Sequence, residues 1–262
     1  MLYCSINGKQ TNQLSVKNRG FSYGDGLFTT GKISHGNIEM LPLHINRLSE
    51  GCIKLKIEQP NMIELSEELK EVSRSYSKAV IKVVITAGEG GRGYSRVGTS
   101  SPSVIISVSA FPEHYDQWQQ EGINLGVSSL QLGINPMLSG LKHLNRLEQV
   151  LIRQDLDNRI EDDVVVTNVN GHIIETSCAN LFWLIDGQLY TPNINHSGVA
   201  GLVRDNVLAN MPNVTLGDFV LTDVEQAQAM FICNSVMGIV PVKTFNGKLL
   251  SLEKLSGIQL VK

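Results

Sequence analysis

The stretch "GLKHLNRLEQVLIRQDL", Gly140 to Leu156, decides how this chain is read. Apolar residues at Leu141, Leu144, Leu147 and Leu151 recur at intervals of three and four, a spacing that predicts a helix with one buried face. Lys142 falls in the first turn of that helix, where a cation opposes the positive end of the helix dipole and Asp or Glu is the ordinary choice. A lone lysine on a helix is most often a solvated one. The same position disfavours the charged form of an amine, and an uncharged amine can serve as nucleophile or base.

Working outward, "INLGVSSLQL" reads as a strand leading to a loop at Asn135-Pro136 before the Lys142 helix. A meander follows: "DVVVTN", the turn "VNGH", "IIETSCANLFWLI", the turn "DG" and "QLYTP". Asn170-Gly171 and Asp186-Gly187 are strong hairpin signals. A turn and helix in "SGVAGLVRDNVLANM" and the segment "QAMFICNSVMGIVPV" complete this part. The first forty residues read as strands turning at Asn7-Gly8 and near Gly36-Asn37. Then come a helix "LPLHINRLSEGCIKLKI", with Leu43, Ile45, Leu48, Cys52 and Leu55 apolar, and a second helix "MIELSEELKEVSRSYS". The strands "AVIKVVITAG" and "SVIISVSAF" flank a loop, "GEGGRGYSRVGTSSP". The expectation is an α/β (α+β) chain: a smaller domain over 1–111, a connector over 112–117, around the stretch Glu113–Gly122, and a larger domain over 118–262 that carries Lys142.

The 262 residues are 42% hydrophobic and 18% charged with a net charge of -3, which points to a globular chain with no electrostatic footprint for nucleic acid or an anionic membrane surface. "MLYCSINGKQ" has no basic segment before an apolar core, so no secretory signal is expected. Apolar runs such as "AVIKVVITA" are strand-length and interrupted by Lys82, so no bilayer span is expected. The four cysteines are scattered without a CxxC pair and the six histidines form no HExxH, which reads as reduced thiols in a cytoplasmic protein with no metal centre.

Several residues carry potential chemistry. Glu175 shares a strand face with Ile173, and a buried carboxylate needs a partner; the alternative is an edge or surface glutamate. Arg47 in "HINRLSEG" would ordinarily be a surface arginine of an amphipathic helix. "GVAGLVR" reads as a tight turn at Gly201 before a helix whose first N–H groups, at Leu202 and Val203, form an anion site. No GxxxxGK[ST] is present, and "GEGGRGYS" lies between strands rather than before a helix, which argues against nucleotide sites. Asn234 and Ser235 in "ICNS" could add phosphate donors; otherwise they end a strand in a turn.

The order of these features resembles the fold-type IV pyridoxal-phosphate enzymes, a family of branched-chain and D-amino-acid aminotransferases and aminodeoxychorismate lyase. The likeness runs from "NRGFSYGDGLFTT" to "FICNSVMGIVPV", and "GGRGYS", "LKHLNRLEQVLIR", "ETSCANLFW" and "ICNS" look most like the lyase branch. The resemblance implies pyridoxal 5'-phosphate in a cleft between two α/β domains, Lys142 as the Schiff-base lysine and Glu175 facing the pyridine nitrogen. It implies Arg47 on the phosphate, with Leu202, Val203, Asn234 and Ser235 donating around it. Here Gly201-Leu202-Val203-Arg204 stands where the aminotransferases usually carry G-I-T-R, so Val203 keeps a backbone donor and lacks the threonine hydroxyl.

The lyase branch implies conversion of 4-amino-4-deoxychorismate to 4-aminobenzoate and pyruvate, a step of folate biosynthesis. A substrate with two carboxylates calls for cationic and hydroxyl groups. Arg92 and Tyr94 of the RGY loop, Arg146, Tyr23 and Thr30 are the substrate-binding candidates. A homodimer is also implied, with the RGY loop near the neighbouring active site. A D-amino-acid or branched-chain aminotransferase with the same cofactor residues stays open, since the spacing from Lys142 to Asn145 resembles the D-amino-acid branch.

Overall fold

Alternating apolar residues build the first sheet. Leu27, Thr29, Gly31 and Ile33 of one strand and Ala79, Ile81, Val83 and Ile85 of its neighbour are all buried, while the residues between them are more exposed. The computed structural model describes residues 1–211 and 213–255; the end of the expected 118–262 domain, 256–262, lies outside the described residues. The described chain divides into two units, Met1–Pro112 together with Lys142–Asn145, and Glu113–Leu141 together with the chain from Arg146. Among the described residues, no helix is long and apolar enough to cross a membrane.

The first unit contains β1 (Tyr3–Ile6), β2 (Lys9–Gln10), α1 (Arg19–Tyr23), β3 (Gly26–Ser34), β4 (Asn37–Ile38), α2 (Leu41–Leu55) and α3 (Met62–Ser73). β5 (Lys78–Thr86), β6 (Gly90–Arg92), β7 (Ser95–Thr99) and β8 (Ser103–Ala110) follow. The described sheet runs β2-β1-β8-β5-β3-β4 and is antiparallel. β6 and β7 pair with each other as a separate hairpin where the sequence suggests only a loop. α2 and α3 cover the buried face through Leu48, Cys52, Leu65 and Leu69. The inward stripe of α2 differs from expectation. The helix begins at Leu41 with a proline in its first turn, which turns Leu41, His44, Leu48 and Cys52 inward and leaves Leu43 41% exposed.

The second unit begins with α4 (His114–Glu121), which occupies most of the expected connector. No residue of α4 is fully buried, so its pattern carries little signal, but Tyr115 and Trp118 pack against the core of this unit. β9 (Ile123–Val127), α5 (Leu147–Leu156), β10 (Asp163–Thr167), β11 (Ile173–Thr176), β12 (Asn180–Ile185) and β13 (Gln188–Pro192) follow. α6 (Leu202–Asn210), β14 (Val214–Gly217), α7 (Leu221–Val224), β15 (Ala229–Asn234), β16 (Gly238–Phe245) and β17 (Lys248–Leu249) complete it. The described sheet runs β11-β10-β9-β16-β15-β12-β13-β14, with β17 on β16. It mixes parallel pairs, such as β9 with β10 and β16, with antiparallel hairpins. The β12–β13 hairpin turns at Asp186-Gly187, both with positive φ, as the Asp-Gly signal anticipates. "IIETSCANLFWLI" is two strands, because Thr176 and Ala179 close a tight turn through the Thr176 hydroxyl and both main chains.

The helix expected over Gly140–Leu156 forms only from Leu147. Upstream of it the backbone makes other bonds. Gly140 donates to the Gly198 carbonyl and accepts from Ala200 within the second unit. Within the first unit the Lys142 carbonyl accepts from Phe28 N at 2.9 Å, and Leu144 N donates to Gly26 O at 3.0 Å. Lys142–Leu144 thus lies along the edge of β3 at its Gly26–Phe28 end, whereas β4 pairs with the Ile33–Ser34 end. An open strand edge is satisfied by any chain that pairs with it. The leucine spacing misleads for the same reason: Leu147 and Leu151 are 70% and 49% exposed, and Ile152 and Leu156 form the buried side of α5. Lys142, expected in the larger domain, groups with the first unit.

Candidate active site

In the first unit the site is built on β3, β5, α2 and the Lys142 segment. Cross-strand neighbours share a sheet face, so Lys142 lies beside Phe28, and its Nζ sits 4.6 Å from the Phe28 ring centroid. The helix-dipole argument for Lys142 falls away, since the residue is extended and precedes α5 by several positions. Its polar surroundings are supplied by neighbouring side chains instead. Lys82 Nζ approaches the same Phe28 ring at 4.6 Å, opposite Thr30 in the β3–β5 register. Burial lowers the Lys82 pKa, and among the described residues no carboxylate lies within 4.0 Å of its Nζ. Sequence reading noted Lys82 only as an interruption of an apolar run; a lysine in mid-strand was the available signal.

Arg47 is half-buried on α2, three residues after His44. His44 is 2% exposed, with Thr29 Oγ1 2.6 Å from its Nδ1. Burial, and then the charges of Arg47 and Lys142, push its pKa down to about 3. A neutral imidazole therefore lies near Arg47 and Lys142 at physiological pH, and both cations belong to one neighbourhood of this unit. No metal-ligand pattern marks His44 in the sequence; its sequence signal is its place on the inward stripe of α2.

The remaining first-unit candidates lie elsewhere on it. Arg92 and Tyr94 occupy the β6–β7 hairpin, both exposed, Tyr94 at 91%. Tyr23, at the end of α1, meets the Tyr94 ring edge-on at 5.7 Å between centroids. Thr30 is half-buried on β3.

In the second unit, Glu175 is 6% exposed on β11, where all four residues are buried. Its Oε2 accepts from Val199 N at 3.0 Å. That bond satisfies part of a buried carboxylate and fixes its direction. Arg146, just before α5, donates to the Leu141 carbonyl. Burial lowers its pKa, and the charges of Glu175 and Glu148 oppose that shift.

The expected turn and helix start form at Gly201 and Leu202. α6 starts at Leu202 with Gly201 as its N-cap, which offers no side-chain acceptor, so the first-turn N–H groups have no helix partner. Gly201 is required by a close approach: a Cβ there would meet Asn180 Oδ1 at 2.0 Å, while Asn180 Nδ2 donates to Val199 O at 2.9 Å. Asn180 thereby braces the same short segment that holds Glu175, a role sequence reading missed. Val203 is buried and Leu202 nearly so, so these two contribute main chain rather than side chain. Asn234 builds the turn after β15: its Oδ1 accepts from Val236 and Met237 N at 2.9 Å and one Nδ2–H donates to Cys178 O at 3.2 Å. Ser235 lies in that turn, half-buried.

A fixed buried carboxylate, a helix start without a capping side chain and a glycine that admits no Cβ fit the ring nitrogen and phosphate of pyridoxal phosphate. Gly201→Ala should force Asn180 aside, lower stability by about 1–3 kcal/mol and weaken cofactor uptake, as read from urea midpoints and a pyridoxal-phosphate titration. An unchanged titration would remove this turn from the phosphate site.

Residues 26–245 match the family model described as amino-transferase class IV. The chain is 40% identical over 241 residues to an aminodeoxychorismate lyase of Vibrio harveyi, covering 90% of this chain and 89% of that protein. It superposes on the crystal structure of 4-amino-4-deoxychorismate lyase from Pseudomonas aeruginosa with a TM-score of 0.89 at 33% identity, over 95% and 93% of the two chains. The branched-chain amino acid aminotransferase of Escherichia coli shares the fold, with a TM-score of 0.84 at 22% identity over 95% and 88%. With a mixed α/β fold, an edge-paired lysine, a braced glutamate and a match across most of its length, the chain belongs to the class IV aminotransferase family.

Proposed function

We propose that this protein is a pyridoxal-phosphate-dependent lyase that converts 4-amino-4-deoxychorismate to 4-aminobenzoate and pyruvate, supplying 4-aminobenzoate for folate. The observation that carries the reading is the 40% identity to a lyase over nine-tenths of the chain, against 27% over 78% for the Escherichia coli branched-chain aminotransferase.

Lys142 would hold the cofactor's aldehyde carbon, Glu175 its ring nitrogen, and Arg47 with the main chain at Leu202 and Val203 its phosphate. When bound, pyridoxal phosphate supplies an electron sink for the charge left when a proton departs from the amine-bearing carbon. Glu175, as a carboxylate, keeps a proton on the nitrogen it faces and so strengthens that sink. The Lys142 amine would serve as the base that accepts the proton from C4 of the substrate. Cleavage of the neighbouring C3–O bond would release enolpyruvate, which becomes pyruvate by taking up a proton that Lys142 can return; the carbocycle is then aromatic, which drives the reaction forward. The cations of Arg92, Arg146 and Lys82, with the hydroxyls of Tyr23, Tyr94 and Thr30, are the groups available to the two substrate carboxylates.

The family resemblance supports a cytoplasmic homodimer whose two units are its two domains. Four free cysteines and exposed Leu147, Val150 and Leu151 along α5 agree with that reading. The deciding assay supplies 4-amino-4-deoxychorismate to the protein with pyridoxal phosphate. Equal amounts of 4-aminobenzoate and pyruvate are expected without any added keto acid. Transfer of an amino group from an amino acid to 2-oxoglutarate, with no 4-aminobenzoate formed, would assign the chain to the aminotransferases.

A further inference from the structure

The β6–β7 hairpin that carries Arg92 and Tyr94 is exposed and rich in glycine, so its own contacts specify its shape poorly. Beneath it lies Arg19, 2% exposed at the start of α1. Its Nη1 donates to the carbonyls of Gly90, Gly93 and Ser95 at 3.4, 3.2 and 3.1 Å, and its Nη2 to the Tyr94 carbonyl at 3.3 Å. Its Nε donates to Asp25 Oδ2 at 2.8 Å. One guanidinium thus follows four successive bends of the hairpin main chain, and its rigid fork suits that task as a lysine could not.

The same group lies 4.8 Å from the Tyr23 ring centroid, and Tyr23 in turn meets Tyr94. Asp25 is the hub. It also binds Arg96 of β7, whose Nη1 donates to the Leu55 and Lys56 carbonyls at 2.8 and 2.9 Å at the end of α2. Burial raises the Asp25 pKa, but its bonds to Arg96 and Arg19 outweigh that and hold it below the usual carboxylate value. The hairpin leaves no room for error over Arg19. At Gly91, with φ +74°, a Cβ would meet Ser95 O at 2.5 Å and Arg19 Nη1 at 3.0 Å.

We infer that Arg19, held by Asp25, is a positioning residue that presents Tyr23, Arg92 and Tyr94 as one preset surface for the carboxylates of the substrate. This rests on the lyase reading for the identity of the substrate. Arg19 touches no substrate itself; its effect is to remove the ordering that the hairpin would otherwise undergo on binding.

The test compares Arg19→Met and Gly91→Ala holoenzyme with wild type. Gly91→Ala disturbs the guanidinium from the exposed side should the buried substitution fail to fold. The KM for 4-amino-4-deoxychorismate and the dissociation constant for 4-aminobenzoate are expected to rise together by about tenfold or more, with kcat little changed. Arg19→Met/Arg92→Ala should bind less weakly than the two single losses combined would give, because the part of the Arg19 effect that acts through Arg92 is already gone in Arg92→Ala. Wild-type KM in folded Arg19→Met or Gly91→Ala would overturn the inference, as would fully additive effects in the double variant. The wild-type product assay decides the reaction separately, so failure of one result is distinguishable from failure of the other.

Discussion

Lys142→Ala should lower turnover of 4-amino-4-deoxychorismate by about 10³-fold or more while the protein stays folded. The segment is held by main-chain bonds to Phe28 and Gly26, which an alanine keeps. The ring of Phe28 loses one of two neighbouring cations, a small change at a half-exposed site. What disappears is the amine proposed to anchor the cofactor and move the C4 proton. In wild type, borohydride should fix the cofactor covalently, and peptide mapping should find it on Lys142. Label on Lys82, the other lysine at Phe28, would transfer the anchoring role to that residue. Wild-type turnover in the alanine variant would end the proposed role of Lys142 altogether.

The second large effect is expected from Glu175→Gln. The glutamine retains the shape of the side chain, and its carbonyl oxygen can still accept from Val199 N, so stability should fall little. It cannot carry the charge that, on the proposed role of Glu175, keeps the ring nitrogen protonated. The kcat is expected to fall by about 10²-fold, with much less change in cofactor affinity, since Arg47, Leu202, Val203 and Lys142 are untouched. A primary isotope effect with deuterium at C4 should grow, because proton removal becomes slower relative to release of product. If kcat is preserved and only cofactor affinity falls, Glu175 serves binding rather than chemistry. The two variants thus separate the proton-moving amine from the charge that makes its task possible.

Much of the local structure around the candidate site residues was legible in the residue order. The carboxylate in "IIETSCANLFW", the glycine turn before α6 and an arginine on the first long helix are local patterns, and each keeps its local structure in the fold. Strands were legible where one face is buried, as along β3 and β5, because side chains then alternate with period two. Asp186-Gly187 was legible because its turn demands positive φ at both residues.

Other features depend on partners distant in the chain. The leucine spacing around Lys142 predicts a helix, yet residues 140–144 pair with loop 198–200 and with the edge of β3, and no local pattern records an edge waiting to be filled. α4 was missed because it buries no full stripe. The amide of Asn234 serves its turn, and the guanidinium of Arg19 reaches a hairpin some seventy residues away, facts set by hydrogen-bond geometry alone. By itself, then, the sequence determined which chemical groups the protein owns and which family it resembles, since both follow from residue types and their order. Tertiary structure decided which neighbours tune those groups: Lys142 beside Phe28 and ahead of α5 rather than in its first turn, His44 neutral near two cations, and Glu175 braced by a main-chain amide. The physical reason is that charge, desolvation and hydrogen bonding act over a few ångströms in space, a distance that separation along the chain does not report.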